Sequence, residues 1–262
     1  MIYPINTPLA QPGPVQIHRP YQPFGNISLS TNGQTANTQQ LQLSLQRRYS
    51  SGLSFQVEYA LTKALNSATT DRGTPSVPNN WRLDRGNDSA IRTHYLVANY
   101  VYELPFGRRL HGLPAILLSG WQTSGIVTAG SGLPFSVNFT SSLLGQPSGR
   151  ADIVGNPAVS SPGINGWFNP QAYAVPAPFT YGNSAPNSLW GPGLVTWDMG
   201  AFKNFRFFER WNLQFRSEFF NTLNHANFSN PQNSISSPTQ VGKIVSTSTG
   251  PRVVQFALRL EF

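Results

Sequence analysis

The residues best equipped for chemistry are four histidines, two carboxylate–guanidinium pairs and one glycine-rich turn, and each is placed poorly for catalysis. His18, His94, His111 and His225 lie far apart, and no two stand at the spacing a zinc site needs. His225 sits in Asn224-His-Ala-Asn227, where it reads as a turn residue. Arg216 with Glu218 and Arg259 with Glu261 could trade protons, but no nucleophile accompanies them. Gly130-Ser-Gly132 lacks the glycine spacing and following helix of a phosphate loop. Asn26-Ile-Ser28 and Asn138-Phe-Thr140 match a glycosylation sequon too short to carry weight. The sequence therefore points to no enzyme, no catalytic residues, no metal and no cofactor.

Composition turns attention from sites to elements. Of 262 residues 39% are apolar, 11% charged and 12% aromatic, with 23 Gly and 22 Pro. The aromatic content argues against disorder and suits β structure joined by polar loops. The net charge of +8 is scattered along the chain, which gives little support to nucleic-acid binding. There is no Cys, so disulfides and thiolate metal sites are excluded, and a periplasmic route is compatible with the chain.

A period of two recurs throughout. Val254, Phe256, Leu258, Leu260 and Phe262 alternate with Gln255, Ala257, Arg259 and Glu261, giving a strand with one apolar and one polar face. Leu41, Leu43 and Leu45 alternate with Gln40, Gln42, Ser44 and Gln46. After a turn at 50–52, Leu53, Phe55, Val57, Tyr59 and Leu61 alternate with Ser54, Gln56 and Glu58. These strands are about 10 to 13 residues long, roughly twice the soluble norm and long enough to cross a bilayer when tilted. Further strands are predicted at about 91–104, 115–129, 194–208, 211–223 and 252–262, with 24–31 as a doubtful eighth.

Connection lengths alternate as well. The segments 50–52, 105–114 and 209–210 are short, and 63–90, 130–193 and 224–251 are long. Outer-membrane barrels have short periplasmic turns and long extracellular loops, so the chain is predicted to be an all-β, antiparallel transmembrane β-barrel of seven or eight strands, hence partial. Residues 1–37 read as an extracellular loop with a partial strand, and 38–262 as barrel. Tyr49, Tyr100, Tyr102, Phe106, Phe207, Phe208, Trp211 and Phe262 fall towards the short-turn side, with Trp197, Phe219 and Phe228 towards the other, as aromatic belts would.

On this reading the lumen-facing candidates are Gln42, Gln46, Arg48, Gln56, Glu58, Gln214, Arg216, Glu218, Arg259 and Glu261. Trp167, Phe168, Tyr173, Phe179, Tyr181 and Trp190, in the longest connection, are the candidates for stacking on a ligand such as a sugar or peptide, unless the loop packs them against itself. The N-terminal residues lack the basic and apolar regions of a signal peptide, so an exported barrel is expected to derive from a longer frame. Two alternatives are a secreted soluble β-sandwich that binds carbohydrate and a small complete eight-stranded barrel. Against the latter, 24–31 follows Pro20 and Pro23 and is too short to span.

Several blocks resemble a known family. Arg19-Pro-Tyr-Gln-Pro-Phe-Gly25, Leu41-Gln-Leu-Ser-Leu-Gln-Arg-Arg-Tyr-Ser-Ser-Gly-Leu53 and Tyr59-Ala-Leu-Thr-Lys63 are similar to the C-terminal barrel region of Oar-like TonB-dependent receptors. Thr93-His94, Tyr100-Val-Tyr-Glu-Leu-Pro-Phe-Gly107, Gly120-Trp-Gln122 and Gly130-Ser-Gly-Leu-Pro-Phe135 follow in that family's order. The most specific matches are Asp198, Lys203-Asn-Phe205, Glu209-Arg210, Phe215-Arg-Ser-Glu-Phe-Phe-Asn221, Asn224-His225 and Asn227-Phe228.

The resemblance implies a transporter barrel of about 22 strands in the bacterial outer membrane. Its partners would be outer-membrane lipid, the rest of the barrel and a plug domain, with the TonB complex reached only through N-terminal parts this chain lacks. Val254, Phe256, Leu258, Leu260 and Phe262 also resemble the terminal signal read by the barrel-assembly machinery.

Overall fold

The structure is a computed structural model that describes residues 2–67, 74–78, 80–107, 111–207 and 211–262. Among the described residues, seven long strands form one sheet: β1 (Ala36–Ser50), β2 (Leu53–Asn66), β3 (His94–Glu103), β4 (Trp121–Gly130), β5 (Leu194–Phe207), β6 (Trp211–Phe220) and β7 (Val253–Glu261). Each pairs antiparallel with its sequence neighbours, so the sheet is an up-and-down meander in chain order. A two-residue strand, Gly86–Asn87, adds to the end of β2.

The predicted strands are present, with local differences. Ser51 and Gly52 both have positive φ, 54° and 82°, which is the backbone a two-residue hairpin turn requires and the reason a glycine stands there. A register irregularity between Arg47 and Ser50 interrupts the β1–β2 ladder beside that turn. Arg48, expected on the polar face by alternation, lies inside this irregularity. The strand expected over 115–129 starts only at Trp121, because Leu113–Leu118 is a short helix with proline in its first turn. The second short connection is accordingly 104–120 instead of 105–114. The turn at Glu209-Arg210 and the aromatic Phe208 lie outside the described residues. Within 24–31, only Ser28–Ser30 is a strand, and it pairs with Ile2–Pro4 in a separate two-stranded sheet.

Register carries one chemical face across the whole sheet. Leu258 stands opposite Phe215, Phe215 opposite Lys203 and Lys203 opposite Trp121. Further along, Val127 stands opposite Ala98, Ala98 opposite Val57 and Val57 opposite Leu45. Because side chains alternate, most of the apolar residues of the seven strands share one side, with Ile126 and Phe202 among the exceptions, and a slip of one residue anywhere would break the match. The opposite side carries Gln42, Gln56, Asn99, Ser124, Asn204, Gln214 and Arg259. Among the described residues no second sheet covers the apolar side: Phe256 is 67% and Leu258 68% exposed. A soluble sandwich would bury that side between two sheets.

The buried core lies in the connections. Phe135, Val137, Ala151, Phe168, Ala172 and Tyr173 form a cluster, joined by Ile235 and Val241 from the connection after β6. Two-residue strand pairs stitch it: Pro134–Phe135 with Leu189–Trp190, Asn138–Phe139 with Gly149–Arg150, and Asp152–Ile153 with Tyr173–Ala174. The long loops are thus a folded cap at the end of the sheet opposite the Ser51–Gly52 turn.

Gly182 is needed for its close approach. A Cβ there would lie 1.8 Å from the Arg150 carbonyl oxygen and 2.8 Å from that of Ala151. Gly182→Ala is expected to loosen the cap and leave the strands intact, seen as faster proteolysis within 131–193 with unchanged β circular dichroism. Unaltered proteolysis would refute this packing role.

Candidate functional site

Two surfaces can meet a solute: the polar side of the sheet and the cap above it. On the polar side the strands present short runs of hydrogen-bonded side chains. Glu58 accepts from Gln56 Nε2 at 2.7 Å and from the Ser44 hydroxyl at 2.8 Å, so β1 and β2 share one carboxylate. Near the other edge, Arg216 pairs with Glu218 at 2.7 Å and its guanidinium stacks 5.2 Å from the Phe202 ring. Arg259 pairs with Glu261 at 3.0 Å, and Gln214 donates to Asn204 at 3.1 Å. Gln42 donates to Gln40 at 2.9 Å.

Between these two groups lies a hollow of about 400 Å³, lined by Asn99, Ser124, Ile126, Asp198, Phe202 and Glu218 among others. Of these only Glu218 was singled out from the sequence as facing the lumen. The middle strands alternate weakly, and Gly125 and Gly200 leave the room that Tyr100 and Phe202 fill on opposite sides of the sheet. The small residues in two adjacent strands were the available signal.

The cap uses its aromatics unequally. Phe168 (3% exposed) and Tyr173 are core, with ring centroids 5.9 Å apart, and Phe168 is equally close to Phe135. Trp167 packs against that core and donates its indole N–H to the Trp190 carbonyl at 2.8 Å. As folded, Phe168 and Tyr173 turn no face to a ligand, whereas Trp190 is exposed and Phe179, held with a φ of 63°, is half-buried. Tyr181 lines a cavity of about 360 Å³ between the N-terminal lobe and the cap, together with Leu9, His18, Pro75, Gln146 and Pro147. Its hydroxyl accepts from the Ala10 amide at 3.0 Å, and burial pushes its phenol above the ordinary value, opposed by that donor. The Gln146 side-chain Nε2 is buried beside this cavity with no hydrogen-bond partner.

Polar residues that carried no local pattern join the parts. Arg150 pairs with Asp84 at 2.6 Å, both largely buried, and also donates to the Leu83 and Ser184 carbonyls. It ties the connection after β2 to the one after β4. Asn227 is buried; its side chain accepts from Val195 N–H at 2.7 Å and donates to Val195 C=O at 2.9 Å, so the last long connection is pinned to the start of β5. Asn221 takes a positive φ of 50° and donates to the His225 and Gly250 carbonyls, which closes the top of β6 onto the entry to β7. The histidines make local bonds: His94 Nδ1 meets the Tyr59 hydroxyl at 2.8 Å and His18 Nε2 the Pro12 carbonyl at 2.7 Å.

A meander of bilayer-length strands, apolar on one side and polar on the other, with short turns at one end and a folded cap at the other, defines a transmembrane β-barrel wall. The family model for the outer membrane beta barrel domain matches residues 1–255. The chain belongs to that family, and its place is the bacterial outer membrane, with the short turns periplasmic and the cap extracellular. No curated protein and no solved structure gave a significant match.

Replacing Arg150 by Met should leave the Asp84 carboxylate buried without its partner, at a cost of about 3 to 5 kcal/mol for a fully buried pair and less here. Hydrogen exchange should accelerate over 80–88 and 149–153, with β1 to β7 unaffected. Unchanged protection in both segments would exclude the tether.

Proposed function

We propose that the chain is the C-terminal wall of a TonB-dependent outer-membrane receptor, supplying lipid-facing strands, part of the lumen lining and ligand-contacting loops for substrate transport. One observation carries this reading. In a strictly antiparallel meander of seven strands, β1 and β7 run the same way, so the two free edges cannot complete an antiparallel barrel with each other. Bacterial single-chain barrels have an even number of antiparallel strands, and an open edge in hydrocarbon leaves unpaired N–H and C=O groups at several kcal/mol each. The wall needs further strands. The short Ser28–Ser30 strand, paired elsewhere, does not supply one.

The resemblance to Oar-like receptors supplies the rest of the proposal. The remaining strands and the plug would come from the same receptor, and energy would arrive from the TonB complex through parts outside this sequence. The polar face, with Gln42, Gln46, Gln56, Glu58, Gln214, Arg216, Glu218, Arg259 and Glu261, would border the plug and water. Val254, Phe256, Leu258, Leu260 and Phe262 would be read by the barrel-assembly machinery. Ligand contact falls to the cap, where Trp190 is exposed and Phe179 and Tyr181 are half-buried.

The cysteine-free chain makes edge pairing testable. Gln42→Cys is combined in turn with Gln255→Cys, Ala257→Cys and Arg259→Cys, and the membranes are oxidised. A wall completed by other strands gives no disulfide within the chain; efficient closure in any of these pairs would establish a small self-closed barrel and overturn the proposal.

Face assignment has its own test. Leu258→Arg should destabilise the assembled barrel by about 2 to 4 kcal/mol if the residue lies near the bilayer midplane, while Ala257→Arg, on the lumenal side, should be far milder. Denaturant titration in lipid vesicles measures both. Equal costs would reverse the assignment of faces.

A further inference from the structure

We infer that the helix Leu113–Leu118 is a membrane anchor, embedded in the phospholipid of the inner leaflet at the periplasmic rim of the wall. The inference rests on the proposed lipid-facing assignment of the apolar side. The segment from Leu113 to Trp121 is Leu-Pro-Ala-Ile-Leu-Leu-Ser-Gly-Trp, without a charge. Leu113, Ile116, Leu117 and Leu118 are each more than half exposed. A helix apolar on all sides belongs in an apolar medium, and one of six residues is too short, at about 9 Å, to cross anything.

Two tethers decide which side of the wall the helix occupies. The Trp121 indole N–H donates to the Leu117 carbonyl at 3.0 Å. Lys203 Nζ donates to the Ser119 carbonyl and lies over the Trp121 and Phe205 rings, 5.6 and 5.0 Å from their centroids. Trp121, Lys203 and Phe205 all project from the apolar side by register. Gly107, at a φ of 74°, lets the connection fold back this closely, since a Cβ there would lie 2.7 Å from the Ser119 nitrogen.

The helix is therefore continuous with the wall's apolar surface. From Trp121 that surface runs to Phe215, at 6.2 Å between centroids, and on to Phe256, at 6.3 Å. Both tethers end at a turn on the short-connection side, level with the headgroups. Lys203 is only 2% exposed, so its charge is masked by a carbonyl and two rings on a side that otherwise faces hydrocarbon. An uncharged apolar stretch that ends on a tryptophan suits the boundary between acyl chains and headgroups, where tryptophan is enriched.

The test uses the absence of native cysteine. Leu117→Cys carries a bimane label in protein reconstituted into phosphatidylethanolamine and phosphatidylglycerol vesicles, and brominated phospholipids serve as quenchers. Leu258→Cys reports the wall and Val154→Cys the exposed cap. The expected result is quenching of the Leu117 label several-fold more strongly by bromines near the headgroup than by bromines at mid-chain, with little quenching by aqueous iodide.

Quenching by iodide alone, as for the Val154 label, would overturn the anchor, and protection from both quenchers would assign the helix to a protein partner or a second copy. If Leu117→Cys fails to fold, Leu113→Cys reads the same surface. Should the Leu258 label also escape lipid quenching, the assignment of faces falls first, and the anchor falls with it.

Discussion

Within hydrocarbon a backbone amide has no water to bond, so each unpaired N–H or C=O costs several kcal/mol. That constraint shapes the wall more than any side chain. It demands long strands, it forbids a break in the ladder at membrane depth, and it makes strand order follow chain order, because a meander pairs each new strand as it is laid down. The register irregularity between Arg47 and Ser50 falls beside a turn, where water reaches the freed groups. Continuous pairing fixes the register, and the register sorts the side chains into an apolar side and a polar one. Lys203 fits this logic. A cation on the apolar side is tolerated because it stands near the end of β5, where Ser119 offers a carbonyl and Trp121 and Phe205 cover the charge.

The cap answers to a different solvent. Its core of Phe135, Val137, Ala151, Phe168, Ala172 and Tyr173 forms where water drives apolar groups together. The wall has no such core, since its apolar side is to be covered by lipid. The chain therefore contains two units stabilised by opposite surroundings. Joining them requires specific polar contacts, and buried asparagines provide these. Asn227 satisfies both backbone groups of Val195, while Asn221 bonds the segments that enter and leave the last long connection.

How much of this was legible in the sequence follows from the same division. In the wall, alternation is imposed by contact with lipid on one side, so β1, β2, β6 and β7 could be read from Leu41 to Leu61, from Leu213 to Phe219 and from Val254 to Leu260. The start of β4 was not legible. Leu-Pro-Ala-Ile-Leu-Leu is uniformly apolar, and an apolar run without a period reads equally as strand or helix. Trp121-Gln-Thr-Ser-Gly that follows alternates too weakly to mark the boundary. The polar runs around Glu58 and Arg216 were visible by alternation, whereas the hollow at Asn99 and Asp198 depends on glycines in neighbouring strands and on register across four of them. In the cap no period exists. Six aromatics looked equivalent in sequence, and only tertiary packing separates Phe168 and Tyr173, which the core consumes, from Trp190 and Phe179, which it leaves outside.

Parity links the two units to function. Strands that run in alternate directions deliver every long connection to the same end, so the segments after β2, β4 and β6 meet above the sheet and can fold together. Arg150 and Asp84 join two of them, and Ile235 and Val241 bring the third into the core. An odd count of such strands also leaves β1 and β7 pointing the same way. The geometry that assembles the extracellular cap thus leaves the wall unable to close upon itself with antiparallel pairing alone. In the proposed receptor wall, strands beyond these seven would satisfy the two edges, and the polar face would line a lumen wider than this sheet could enclose.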